Sequence, residues 1–290
     1  MSVVLENDYL KVAVKEKGAE LASVENKKTN LEYMWQGDPA YWGKTSPVLF
    51  PIVGTLRDDR YVYEGNSYSL TRHGFARDSN FQVAEQKADE VIFLLTGTEA
   101  SREKFPFDFR LTLKYKLVKD FLEVTYDVKN IGSDIMYFSI GGHPAFNVPL
   151  VKGSNYEDYY LLFNERENAG RWPIDPRGLI VDQPVPFLKN TSTLKLNHSL
   201  FMEDALVFKN LRSRKISIKS DVHSHGLDFY FDGFPFLGIW SAKNADFVCI
   251  EPWCGVADSV LHDQQLTTKE GIVNLSSNEN WTRTWKVRFY

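Results

Sequence analysis

The stretch 110-RLTLKYKL-117, followed after Val118-Lys119-Asp120 by 121-FLEVTYDV-128, decides the fold. Leu111, Leu113, Tyr115 and Leu117 recur at every second position of the first run, and Leu122, Val124, Tyr126 and Val128 do so in the second. A period of two places those side chains on one face of a strand, and the short polar connection predicts an antiparallel hairpin. Short alternating or β-branched runs recur at 10–14, 61–70, 81–95, 206–218 and 281–289, divided by Gly, Asn and Asp. No stretch sustains a helical period; 39–42 and 101–105 have room for a helical turn and are expected to be connectors. With 290 residues, 43% of them hydrophobic, and no internal repeat or Pro/Gly/Ser linker, the expectation is one all-β antiparallel domain spanning 1–290. The connection 151–185, rich in Pro, Gly and charge, is expected to form a rim around a concave ligand-binding face.

Composition excludes several classes. A net charge of -4, with Lys and Arg dispersed along the chain, gives no electrostatic footprint for nucleic acid. Glu6 and Asp8 interrupt the N-terminal segment before any apolar run could act as a signal or membrane helix. A cytoplasmic protein without a membrane partner is therefore expected. The two cysteines, Cys249 and Cys254 in C-I-E-P-W-C, are too few for a disulfide framework and too far apart for a paired zinc knuckle, so both are expected to be reduced thiols. Neither a phosphate-binding Gly-rich loop nor a dinucleotide fingerprint nor a Gly-x-Ser-x-Gly elbow is present. Exposed edges and aromatics fit a monomer or a homodimer equally.

Three segments carry chemistry. In 141-GGHPAFN-147, two glycines and a proline break the alternation around His143, whose unperturbed pKa of roughly 6.5 suits proton transfer. From this segment alone, a catalytic histidine and one that merely bonds a loop both remain open. In 71-TRHGFARD-78, His73 and Arg77 flank a flexible Gly-Phe pair and can hold hydroxyls, while Arg72 is assigned to a structural ion pair with Asp78. In 247-FVCIEPWCG-255, an apolar strand ends at Glu251; burial there raises its pKa and makes it a stronger proton acceptor. Trp253 could pack on a sugar face, although a tryptophan beside proline is more often core. A competing pattern, His223-Ser224-His225, puts two imidazoles on one face of a strand and could begin a metal site. The aspartate that follows, Asp228, is ill-spaced to complete it.

Taken in chain order, R-H-G-F-A-R, G-G-H-P-A-F-N, E-D-A-L-V-F and I-E-P-W-C-G-V-A-D resemble the aldose 1-epimerase (galactose mutarotase) family, in its LacX-like branch. Each motif is weak alone; four in order across nearly the whole chain are specific. The resemblance implies a β-supersandwich of the galactose mutarotase type. It also implies an isomerase that opens and recloses a hexose ring by acid/base catalysis, with no metal or organic cofactor.

Carried over by motif, Glu251 falls on the family's general base and His143 on its general acid. His73 would bind hydroxyls near the ring oxygen, Asp204 of E-D-A-L-V-F would bind the sugar, and Arg77 matches the arginine of the HGFAR stretch. The branch often has an arginine straight after the glycine of F-P-I-V-G, where this chain has Thr55; Arg57, two residues on and on the same face of an extended segment, is the expected substitute. Related glucose-6-phosphate 1-epimerases use arginines for phosphate, so Arg57 and Arg77 fit a free or a phosphorylated sugar. A non-catalytic carbohydrate-binding protein of the same fold is the remaining alternative.

Overall fold

In the computed structural model, which describes residues 1–290, the hairpin forms as its alternation requires. Strands Phe109–Val118 and Phe121–Asn130 pair antiparallel from Phe109 opposite Asn130 to Val118 opposite Phe121. Lys119, in the two-residue turn, adopts φ 55°, the left-handed conformation that such tight turns need. All eight alternating side chains are buried. The hairpin lies inside a nine-stranded antiparallel sheet. Glu90–Thr96 and Gln82–Gln86 extend it on one side. On the other side the C-terminal strand Asn280–Phe289 inserts beside Phe121–Asn130, followed by Leu227–Tyr230, Lys215–Ser220, Tyr159–Arg171 and Val185–Lys195.

A second sheet is built around Phe247–Cys254, every residue of which is buried. Phe236–Trp240 flanks it on one side, with Leu206–Lys209 beyond. On its other side run two short pieces, Ile140–Gly142 and Ala145–Asn147, and Val48–Leu49 pairs with the first of them. The faces of the two sheets meet closely at Gly142, where a Cβ would fall 2.6 Å from the Tyr126 hydroxyl and 3.2 Å from Trp285 Nε1. Only glycine permits that approach. Trp285 Nε1 donates to Tyr126 Oη at 2.7 Å, so the polar tips buried in the seam are paired. A cluster of 62 buried residues runs through both sheets as one continuous core. No helix is long and apolar enough to cross a membrane.

Two expectations need correction. Residues 151–185 are not a continuous rim, because Tyr159–Arg171 is a thirteen-residue strand of the large sheet. Its pairing with Val185–Lys195 slips register between Leu162 and Gly170, so its alternation is broken and the sequence hides it. Of the two expected connectors, 39–42 is a plain turn. The other is a single turn of helix, Glu99–Arg102, which starts two residues early because Thr98 caps it by accepting from the Ser101 N–H.

Candidate active site

The break in the alternation at His143 has a structural reason. Ile140 and Gly141 pair with Cys254 and Trp253, and Ala145 resumes pairing at Cys249. His143 and Pro144 therefore lie where the ladder is interrupted, facing the middle of Phe247–Cys254. Pro252, which cannot donate to a ladder, occupies the same interval. The interruption swings His143 Nε2 to 3.3 Å from Glu251 Oε2.

Both groups are nearly enclosed, His143 at 8% exposure and Glu251 at 1%. Burial pushes His143 down to about 3, and the Arg72 and Arg77 charges add to that shift. Burial pushes Glu251 well above the carboxylate range; Arg72 opposes the shift and Asp204 reinforces it. His143 Nδ1 and Glu251 Oε2 have no hydrogen-bond partner. The histidine ring is held instead by packing: Trp42 stacks on it at 4.8 Å and Trp240 meets it edge-on at 5.5 Å.

His73 stands edge-on to His143 at 5.8 Å. Its backbone is at φ 70°, an uncommon conformation for histidine. Gly74 follows at φ 69° because a Cβ there would lie 2.4 Å from Phe50 O. His73 N donates to Gly54 O at 2.9 Å, and Gly54 N donates to His73 Nδ1 at 3.1 Å. With Nδ1 accepting, a neutral imidazole carries its proton on Nε2. Burial first, then His143, Arg72 and Arg77, keeps His73 well below its ordinary pKa, and so neutral.

These three residues border a cavity of about 410 Å³ together with Arg72, Arg77, Asp204, Trp42 and Trp240. The structure thus brings five of the six sequence-derived residues together: His73, Arg77, His143, Asp204 and Glu251. Arg57 does not join them. Its Nη1 donates to His262 O at 3.1 Å and its backbone N to Asp258 Oδ2 at 2.9 Å, so it braces a neighbouring loop. Arg72 is the guanidinium at the cavity. It lies 3.5 Å from Asp204 Oδ2, while Asp78 pairs with Lys44 at 2.8 Å and approaches Arg77 at 3.7 Å. Arg77 Nε, the atom that faces Asp78, is buried without a hydrogen-bond partner. Trp253 also borders the cavity. Trp42 and Trp240 had no sequence signal, since neither belongs to a motif and their convergence is purely tertiary.

The ligand atoms of His143, Cys249 and Glu251 lie within 4.8 Å of one another, the one arrangement here that could hold a cation. Burial, then Glu251, raises the Cys249 thiol well above its usual pKa and keeps it protonated, which opposes metal binding. His223 and His225 border none of this. His223 Nε2 is bonded to the Tyr159 hydroxyl at 2.7 Å. Cys249 and Cys254 are buried free thiols.

The cavity is lined by strands of the second sheet and by loops, with no residue of the nine-stranded sheet on its wall, and this fold and site fit an isomerase of the sugar epimerase class. The sequence matches the aldose 1-epimerase family over residues 1–273, and the chain belongs to that family. It is 36% identical over 283 residues to the chromosomal protein LacX of Lactococcus lactis subsp. lactis, covering 93% of this chain and 94% of the relative. A galactose mutarotase related enzyme from Lactobacillus acidophilus superposes with a TM-score of 0.95 at 36% identity, over 100% of this chain and 97% of the other. A galactose mutarotase-like protein from Lactobacillus casei does so with a TM-score of 0.94 at 32% identity, over the whole of both chains.

Proposed function

We propose that this epimerase interconverts the α and β anomers of a free hexose, with Glu251 as general base and His143 as general acid. The observation that carries this reading is the 3.3 Å contact between two buried groups, one pushed up in pKa and the other down. Burial favours the uncharged form of each member, so the pair holds one proton. A sugar hydroxyl bonded to Glu251 favours the carboxylate and moves the shared proton to His143. Glu251 then takes the proton of the anomeric hydroxyl while His143 gives its proton to the ring oxygen, and the bond from the anomeric carbon to the ring oxygen breaks. Rotation of the free aldehyde and the reverse proton transfers close the other anomer.

The remaining residues fit binding roles. His73 offers an Nε2 proton to an oxygen, Asp204 accepts from a hydroxyl, and Arg77 and Arg72 donate. Trp42 and Trp240 cover the His143 ring and limit water. A phosphorylated hexose is the second reading, favoured by Arg72 and Arg77 at one cavity; the carboxylates of Glu203 and Asp204 on the same wall weaken it. Anomer exchange followed by NMR on glucose, galactose and glucose 6-phosphate tests both. Acceleration of a free hexose is expected, and no acceleration of any common aldose would sink the first reading.

A further inference from the structure

We propose that the protein carries a second ligand site, apart from the sugar cavity, for a small ring-bearing organic oxyanion, a phosphate monoester or a carboxylate. It goes beyond the epimerase reading and does not depend on it. The turns 210–214 and 231–235 and the C-terminal strand Asn280–Phe289 border a cleft of about 330 Å³, within the size range of small-molecule sites. No residue is common to this cleft and the sugar cavity. Its occupant therefore takes no part in the proton transfers at Glu251 and His143.

The charge of the cleft selects an anion. Arg214 and Arg283 stand on its wall and no Asp or Glu does, in a chain whose net charge is -4. Elsewhere Arg171, Arg177 and Arg288 are each paired with a carboxylate, at 2.9, 2.7 and 2.8 Å. Arg283 instead directs its donors at neutral carbonyls, Nε at Gly233 O (3.2 Å) and Nη1 at Thr282 O (2.9 Å). Arg214 Nη1 donates to the carbonyls of Leu211 and Ser213, and its acidic neighbour Asp232 is 3.7 Å from Nε and almost fully exposed. Carbonyls fix the two guanidiniums without cancelling their charge, and neither Nη2 makes a hydrogen bond. Planar forks of this kind match the paired oxygens of a carboxylate or phosphate.

Apolar groups set the rest of the ligand. Trp281, Phe234 and Val273 border the same cleft. The Arg283 guanidinium lies 5.0 Å from the Trp281 ring centre, and Phe138 meets that indole edge-on at 5.6 Å, which holds it in place. A ring entering the cleft thus finds an aromatic surface beside two cations. Gly233, at φ 80°, lets the guanidinium close over its turn, because a Cβ there would fall 3.0 Å from Arg283 Nε. The buried thiol of Cys254 also borders the cleft. Burial pushes it up to about 12 against the pull of Arg283, so at neutral pH no thiolate repels an anion.

The test is calorimetric titration of the native chain with phenyl phosphate, benzoate, inorganic phosphate and phenol, repeated with excess glucose and in Arg214→Gln and Arg283→Gln. A ring-bearing anion should bind about tenfold or more tighter than inorganic phosphate and than phenol, as the loss of either an aromatic contact or a charge-assisted hydrogen bond implies. Whichever of phenyl phosphate and benzoate binds tighter identifies the oxyanion. Each variant should weaken that ligand about tenfold, and glucose should not displace it. Binding of neither ring-bearing anion, equal binding of inorganic phosphate or phenol, an affinity untouched by both variants, or displacement by glucose would overturn the proposal. The ligand series and the glucose competition use the native chain, so they decide the outcome even if a variant fails to fold.

Discussion

Two buried carboxylates sit a few residues apart, Glu251 inside a strand and Asp258 in the loop that follows it, and the protein treats them in opposite ways. Asp258 is satisfied: Lys269 Nζ donates to it at 2.6 Å, the Arg57 backbone N–H at 2.9 Å, and His262 Nδ1 lies 3.4 Å away. Burial works against its charge, yet His262 and Lys269 hold its pKa at about 2. Glu251 has an orphaned oxygen and one histidine at 3.3 Å, and burial drives it toward the protonated form. A carboxylate ringed by donors is a fastener; one deprived of them is a base awaiting a proton.

The difference has a sign in stability. Asp258, depressed when folded, contributes stability above its unfolded value that is lost as pH falls through about 2. Glu251, raised when folded, contributes stability below its unfolded value and loses it as pH rises through its folded one. At neutral pH the first anchors the fold and the second weakens it. Lys269 is itself shifted down, because its complete burial outweighs the attraction of Asp258. The pair therefore yields less net stability than the Asp258 shift alone suggests, although either charge left alone would be costly.

Glu251→Gln breaks the comparison most sharply. It should lower kcat by about 10³-fold, within the usual range for one acid or base, and should not lower the melting temperature. A polarimetric rate within tenfold of the native chain would falsify the assignment. The one-proton form of the Glu251–His143 pair sets the pH profile. That form gains a second proton only near the low His143 value of about 3 and loses its proton only above the raised Glu251 value. The kcat/KM profile should accordingly lack an acid limb near the ordinary histidine value of about 6.5. A limb at that pH would mean that a solvated histidine controls the reaction.

Lys269→Met attacks the other side. It leaves Asp258 charged and unpaired, and denaturant unfolding should show a loss of about 3–5 kcal/mol. The folded fraction should still exchange anomers at a rate close to the native one. Asp258→Asn combined with Lys269→Met removes both charges and should recover part of the loss. No recovery would show that the hydrogen bond from Arg57 N and the neighbouring His262, rather than the ion pair, hold this loop.

The contrast also explains what the sequence made legible. The hairpin strands were visible because each buries one clean face, and His143 and Glu251 because each interrupts a strand pattern that would otherwise continue. Tyr159–Arg171 was hidden by N-E-R-E-N and a slipped register, which erase the alternation that marks a strand. The arginines were misassigned for a different reason. A guanidinium at the end of a long stem goes where its partner is, and the partners are distant in sequence: Asp204 draws Arg72 into the cavity, and His262 draws Arg57 away. Local spacing carries no information about either. The fastening role of Asp258, within the quoted G-V-A-D, was missed because its donors come from Arg57 and Lys269.

Asp204→Asn sharpens the comparison at smaller scale, since Asp204 is half-exposed and touches both Arg72 and the Glu251 field. It should weaken sugar binding about three- to ten-fold through one lost charge-assisted hydrogen bond, read as a raised KM. Removing its charge should also draw the basic limb of the profile downward, because Asp204 helps to keep Glu251 high. A changed KM with an unmoved limb would confine Asp204 to sugar binding.

The smallest effect is expected at His223. The Tyr159 hydroxyl accepts from Leu150 N at 2.8 Å and Val151 N at 3.1 Å, and it is hydrogen-bonded to His223 Nε2 at 2.7 Å and Ser154 Oγ at 2.9 Å. His223 thus belongs to a hydrogen-bonded group that ties the 150–154 turn to the large sheet. His223→Ala removes one partner of that hydroxyl at a half-buried position, a loss of about 1 kcal/mol in denaturant unfolding. Anomer exchange should stay within twofold of the native rate, because neither His223 nor His225 borders the cavity. A large loss of activity, recovered by added divalent cation in the native chain alone, would return the two histidines to the reaction as a metal site.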